Sequence, residues 1–374
     1  MKNFGIYILS ISLLLAANAQ GQVQSAMSLK ETERSSFLGE WKVGLSGTDN
    51  HDERSQSKKV DFRLDLKAKY HLTSYLLLDV QPAFRLQSGQ TQSVDGADSA
   101  ENKLLLNQAA MDFQPSKYFK FMAGALNQRS LHNQLLLDKI AFPAARAETM
   151  FNSTQVESGF ALETAIPTST SMSANTSELE PTPTFNTASA SLNWLPSKRA
   201  FWKNRAGFFS FKNLPSAVAQ KSQFLGNGVN SISEADYKFK YEYEGLEAST
   251  EISIPVLNRL TLLAGADYTQ NQKAPTDLNA ASFYWGGAEL FVNRNFSVQV
   301  TGGRFAIAPD SAVAYFSTLE TNRVGYSVES IFKFQRERFN LSVKFQDAET
   351  MYQSDTQSRE QTLQLKLETS YANI

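Results

Sequence analysis

From residue 37 onward, apolar and polar side chains alternate along the chain with a period of two. The stretch VDFRLDLKAKYHL, Val60 to Leu72, shows it most sharply. Val60, Phe62, Leu64, Leu66, Ala68, Tyr70 and Leu72 are apolar, while Asp61, Arg63, Asp65, Lys67, Lys69 and His71 between them are charged or titratable. Successive side chains of a strand point to opposite faces, so such a strand has one greasy side and one ionic side. The pattern recurs at Trp41–Val43–Leu45, at Leu76 to Leu86, at Ala109–Met111–Phe113 and in the later segments up to Leu363–Tyr371. It predicts about sixteen strands, near 37–46, 59–72, 75–87, 104–114, 118–127, 155–165, 168–176, 184–195, 205–213, 243–254, 259–270, 281–292, 295–306, 322–335, 338–348 and 360–371.

The connections alternate in length. Short ones follow Tyr70, Phe113, Leu195, Phe291 and Phe334; between them lie longer ones at 47–58, 88–103, 128–154, 214–242, 307–321 and 349–359. A chain crossing a slab up and down, with tight turns on one side and loops on the other, has this rhythm. Aromatic residues bracket the short turns: Tyr70 and Tyr75, Phe113 and Tyr118, Trp194 and Phe201, Phe291 and Phe296, Phe334 and Phe339. Rings at one height suit a water–lipid interface.

Two architectures place the apolar face differently. In a soluble secreted protein of two packed sheets it points inward. In one closed cylinder it points outward, because about eight strands already give an interior that side chains can fill. A cylinder of about sixteen lined with Leu, Phe and Val would expose them to water. A closed barrel also satisfies its backbone groups without water, as a bilayer requires. The expectation is an all-β, transmembrane, antiparallel up-and-down barrel over 37–374, its charged face toward an aqueous lumen.

Composition narrows this further. Hydrophobic content is 42% and mean hydropathy −0.33, and no internal run approaches the ~20 apolar residues of a spanning helix, so any crossing is made by strands. Net charge is −1, without the basic excess of a nucleic-acid-binding chain. Residues 1–19 combine a basic start, the apolar run Phe4–Leu15 and Ala17-Asn18-Ala19, the signature of a cleaved secretory signal peptide rather than a buried N-terminal helix. A polar leader, 20–36, follows. The chain has no cysteine, so disulfides do not hold it in an oxidising compartment.

The segment AAMDFQPSKYFKFMAGALNQ, Ala109 to Gln128, is a strand, a tight turn and a strand reaching Gly124 before a long connection. Here the chain resembles the 16-stranded outer-membrane porins of Gram-negative bacteria. The resemblance covers the mature chain by architecture and implies that the loop after the fifth strand folds into the lumen. That loop is 128–154, and LHNQLLLDKIAF within it has a partly helical spacing; an outward extracellular flap is the alternative. The family's acidic-Phe-Gly constriction motif is not present. Porins usually end in an aromatic residue, whereas LQLKLETSY here runs on through Ala372 and Asn373 to Ile374. The resemblance implies outer-membrane lipid and small hydrophilic solutes as partners and a homotrimer as the assembly, with no interface legible in the sequence.

The chemistry of a pore is electrostatic. Inward basic residues are expected at Arg63, Lys67, Lys69, Arg85, Lys120, Lys333 and Lys344. Inward acids are expected at Asp61, Asp65, Asp79, Asp112, Glu157, Glu163, Glu289 and Glu329. The two sets balance, so neither cations nor anions are favoured. From the loop, Arg129, Asp138, Lys139, Arg146 and Glu148 are the candidates for a constriction. No phosphate loop, zinc spacing or nucleophile elbow is visible. His132 near Ser130 lacks an orienting third group and an oxyanion site, so it reads as a polar loop histidine. The sequence thus points to a passive porin with no cofactor, metal site or catalytic centre. The alternative is a non-conducting outer-membrane barrel serving as a receptor or adhesion scaffold.

Overall fold

The computed structural model describes residues 37–53, 55–93, 102–167, 180–233 and 236–373. The expected signal peptide and leader, and the expected strand at 168–176, lie outside the described residues.

Sixteen long strands form one closed antiparallel barrel. They are β1 (Phe37–Asp52), β2 (Ser55–His71), β3 (Leu76–Ser93), β4 (Lys103–Ser116), β5 (Phe119–Asn127), β6 (Ala141–Asn152), β7 (Val156–Ala165), β8 (Thr184–Trp194) and β9 (Phe201–Lys212). After a helix α1 (Ser216–Phe224) and a separate hairpin, β10 (Val229–Ser233) and β11 (Asp236–Phe239), the barrel resumes. It continues with β12 (Tyr243–Leu257), β13 (Leu260–Asn271), β14 (Ala280–Phe291), β15 (Phe296–Ile307), β16 (Arg323–Phe334), β17 (Phe339–Thr350) and β18 (Glu360–Thr369). A two-residue strand, β19 (Ala372–Asn373), extends the ladder beside β1. β9 pairs with β12, and β18 closes on β1 with Leu45 opposite Leu367 and Ser46 opposite Lys366.

Directly opposed residues share a face, so the register sorts the side chains. Val60, Phe62 and Tyr70 on β2, Leu45 on β1, and Phe84 and Leu86 on β3 are exposed on the outer surface. From Val60 to Tyr70 this apolar face spans ten residue-to-residue steps, about 33 Å of strand and about 25 Å of height at a tilt near 40°. Above Val60 the outward residues turn polar: Lys58 pairs with Asp49 at 3.6 Å. The expected long connection at 47–58 is therefore a tight turn between two strands that run past the apolar band.

The larger correction concerns the expected loop 128–154. Its second half is β6, paired with β5 from Thr149 opposite Phe119 to Ala141 opposite Asn127. AFPAARAETMFN hides its period because both faces are mixed. Phe142, Ala144, Arg146, Glu148 and Met150 point inward, and small residues such as Ala145 and Ala147 point outward. β6 supplies the sixteenth strand, and the loop shrinks to 128–140. Likewise the expected loop 214–242 contains α1 and the β10–β11 hairpin.

Gly124 shows why β5 tolerates little substitution. Its φ is +132°, and a Cβ would lie 2.2 Å from the Ala109 carbonyl oxygen of β4. Only a residue without Cβ fits both conditions.

The apolar outer face does not make the whole interior polar. Phe142, Phe185, Phe209, Phe211 and Tyr243 point inward at the loop end of β6, β8, β9 and β12, and all are buried. They pack on Leu136 and Leu137 from the β5–β6 connection, Val218 of α1, and Val313 and Phe316 from the β15–β16 connection. Phe185 and Phe211 lie with ring centroids 4.3 Å apart, and Phe142 meets Phe316 edge-on at 5.2 Å. Each fully buried Phe or Leu of this kind contributes about 1.5–3 kcal/mol. Inward rings are stable here because three connections cover them with apolar side chains.

Candidate functional site

The interior face of β18, β1, β2 and β3 carries a ladder of ion pairs. Alternation alone puts these groups on one face. Arg85 donates from Nε to Asp61 Oδ1 at 2.6 Å. Arg63 donates from Nε to Asp65 Oδ1 at 2.9 Å, and Asn107 links both, accepting from Arg63 at 3.0 Å and donating to Asp65 at 3.0 Å. Lys42 binds Glu368 at 2.8 Å, and Lys366 also pairs with Glu368. Lys67 reaches Glu40 at 3.9 Å, and its ammonium lies 3.6 Å from the centre of the Tyr371 ring. Burial, with Asp65 close by, pushes the Tyr371 hydroxyl up to about 12.

The other expected interior residues occupy the same face elsewhere. Lys120 pairs with Asp112 at 3.0 Å. Lys333 pairs with Glu289 at 3.0 Å and donates to Gln299 at 2.7 Å. Lys344 stands opposite Glu329, and Lys69 opposite Asp79, which accepts from Gln81 at 3.0 Å and Gln108 at 3.1 Å.

The five loop candidates divide. Arg146 and Glu148 are strand residues on β6, not loop residues. Arg146 is buried, binds Glu163 of β7 and donates to Ser130 Oγ at 3.1 Å, with Glu148 at 3.4 Å. It joins two strands and holds the base of the loop. Arg129, Asp138 and Lys139 do belong to 128–140. Arg129 lies in a 3-10 turn, Gln128–Ser130, and donates to the His132 carbonyl at 2.8 Å. Burial pushes its guanidinium pKa down, against the opposing carboxylate of Asp267. Asp138 accepts from Thr318 Oγ1 at 3.0 Å, and its N–H donates to the Phe316 carbonyl at 2.7 Å. Burial pushes the Lys139 amine down, and Lys366, Lys42 and Arg63 push it further in the same direction.

The connection 128–140 touches the tenth and eleventh barrel strands, β12 and β13, far round from β5. His132 is a polar loop histidine, fully buried, and its Nδ1 meets Glu247 Oε1 of β12. The Asn133 N–H donates to Glu247 Oε2 at 3.0 Å. Asn133 Nδ2 donates to the carbonyls of Ala248 at 3.2 Å and Tyr268 at 2.9 Å. Gln134 donates to Asp267 of β13 at 3.0 Å. Sequence reasoning did not find this latch, because His132 and Glu247 lie 115 residues apart. Nor did it single out Lys42, Lys366 or Glu368, although WKV and LQLKLET carry the same alternation as β2.

Two interior cavities flank the connection. One, of about 730 Å³, lies between Lys139 and the β18–β3 ladder. The other, of about 810 Å³, is bounded by Arg129, Glu148, Arg205, Glu251, Asp267 and Trp285. The Trp285 ring rests on Gly265 so closely that a Cβ there would lie 2.5 Å from it. Among the described residues no cluster of His, Cys, Asp and Glu has the arrangement of a metal site.

No protein-family model matches the chain, and no curated protein sequence matches it. Solved structures do. OprB of Pseudomonas putida, in its high-pH structure, is 11% identical, with a TM-score of 0.56 over 90% of this chain and 94% of that one. A loop L8 deletion mutant of OmpT, an outer membrane protein of Vibrio cholerae, is 8% identical, with a TM-score of 0.52 over 91% of this chain and 100% of that one. At such identities the likeness is one of fold, and the fold is that of the 16-stranded porins.

Proposed function

We propose that this chain is an outer-membrane porin, a water-filled channel through which small hydrophilic solutes diffuse passively. The observation that carries the proposal is the two-faced wall of a closed 16-strand barrel, with Val60 to Tyr70 outward and Asp61 to Lys69 inward. Charge on the outer face would cost about 2–4 kcal/mol per Lys or Arg at a bilayer midplane, whereas the inner face accommodates charge if it meets water. The neighbouring porin folds support the same reading. Asp61, Arg63, Asp65, Lys67, Lys69 and Arg85 line the pore in this proposal, with Asp112, Lys120, Lys333 and Lys344 on the remaining wall. The connection 128–140, bearing Arg129, Asp138 and Lys139, narrows it, and its contacts with β12 and β13 support that role. Residues 1–19 direct export, and the homotrimer implied by the resemblance belongs to the same proposal. Solutes move down their gradients, and no chemical step is required of any side chain.

One observation favours a second reading. The apolar cluster at the loop end fills part of the interior, as a non-conducting receptor or adhesion barrel would. Planar-bilayer recording of the refolded protein separates the two. A porin gives discrete ion-conducting steps, and a sealed scaffold gives none.

A further inference from the structure

The charges that balance along the sequence are not balanced in space. The cavity beside Lys139 is lined by seven lysines and arginines and three carboxylates. All three carboxylates are already engaged: Asp61 by Arg85, Asp65 by Arg63, and Glu368 by both Lys42 and Lys366. Across the connection, the cavity around Asp267 is lined by three lysines and arginines and four carboxylates. The segment 128–140 thus separates a basic compartment from a weakly acidic one.

Packing decides which compartment opens to the loop end. The apolar clusters draw their strand residues from β4 to β17, and among the described residues β18, β1, β2 and β3 contribute none. The loop-end interior positions of these four strands are polar instead, with Asn50 bonded to Glu360 at 2.8 Å and Lys59 on the cavity wall. Water and solute therefore find their route along the basic ladder. Lys139 faces that ladder from the other side. Among the described residues Lys139 forms no salt bridge; neighbouring Asp138 accepts from Thr318 and acts on Lys139 only through its charge. A single basic wall would leave room for cations on the opposite side of a passage. Here both sides are positive, and low-dielectric walls strengthen the field between them.

We infer that the passage between Lys139 and the β18–β3 ladder selects small anionic solutes, simple carboxylates included, over cations. This rests on the channel function proposed above. Like-charged groups on both sides repel cations throughout the narrow region and replace part of an anion's lost hydration. Burial and the nearby Lys366, Lys42 and Arg63 lower the Lys139 pKa, against the neighbouring carboxylate of Asp138.

The test is the reversal potential of the refolded full chain across a planar bilayer, under gradients of potassium chloride and of potassium acetate. The expected sign is that of anion preference in both salts. Lys139→Glu lowers the anion-to-cation permeability ratio several-fold, Lys366→Gln lowers it less, and Lys139→Arg keeps the wild-type value. Electrophoretic mobility of the folded barrel confirms that each variant has folded. A cation-preferring wild type in either salt, or an unchanged ratio in folded Lys139→Glu, overturns the inference while leaving the channel intact. Absence of any conducting step removes the channel function itself, and the selectivity with it.

Discussion

At the residue scale, the most informative groups are those whose partners lie on other elements. His132 and Glu247 are both buried; the His132 ring has its polar contact with Glu247, which also accepts from the Asn133 N–H. Removing one partner of such a pair costs about 3–5 kcal/mol, because the other charge is left buried. His132→Ala is expected to lower stability toward denaturant by that order and to release 128–140 from β12, seen as larger and noisier conductance steps. Steps of wild-type size and steadiness in a folded variant would show that the latch does not set the aperture. Lys139 makes a pH prediction. Its pKa is lowered, so its charge is lost earlier, as pH rises, than that of an ordinary lysine. Anion preference is therefore expected to weaken with rising pH at lower pH than an ordinary lysine would give, and Lys139→Arg is expected to abolish that early phase. Reversal potentials recorded across the alkaline range check both.

At the scale of elements, legibility followed the contrast between faces. β2, with ionic residues inward and apolar residues outward, could be placed from its own residues, and so could the tight turns flanked by Tyr70 and Tyr75 or Phe113 and Tyr118. β6 could not, since Phe142 and Arg146 share its inner face while alanines occupy much of the outer one. The inward Phe185, Phe209 and Phe211 were equally opaque, because what covers them comes from 128–140, the α1 helix and 308–322, most of it distant in sequence. Asp61, Arg63, Asp65, Lys67 and Arg85 were legible individually, but the sorting of charges into a basic and an acidic cavity depends on the contacts of 128–140 with β12 and β13, distant in sequence. The absence of cysteine makes β6 simple to test. In membranes, Glu148→Cys is expected to react with a water-soluble thiol reagent, and Ala145→Cys and Ala147→Cys to be protected. The reverse pattern would invert the strand. Gly124→Ala in β5 is expected to be destabilising by at least about 1–3 kcal/mol, from its positive φ alone and more from the Ala109 carbonyl. Unfolding of the variant against wild type measures it.

For the whole molecule, the central proposition is that the charged interior of a closed 16-strand barrel holds a continuous aqueous path. The barrel leaves no free edge, and its outer apolar band suits a bilayer about 25 Å thick in its apolar part. In the proposed channel the inner ladder and the cavity beside Lys139 provide the polar route, while the apolar cluster at the loop end confines it to that side. Planar-bilayer recording of the purified, refolded chain tests this most directly. Discrete, step-like ion conductance is the expected result. Folded protein that inserts into the bilayer and yields no conducting steps would contradict it.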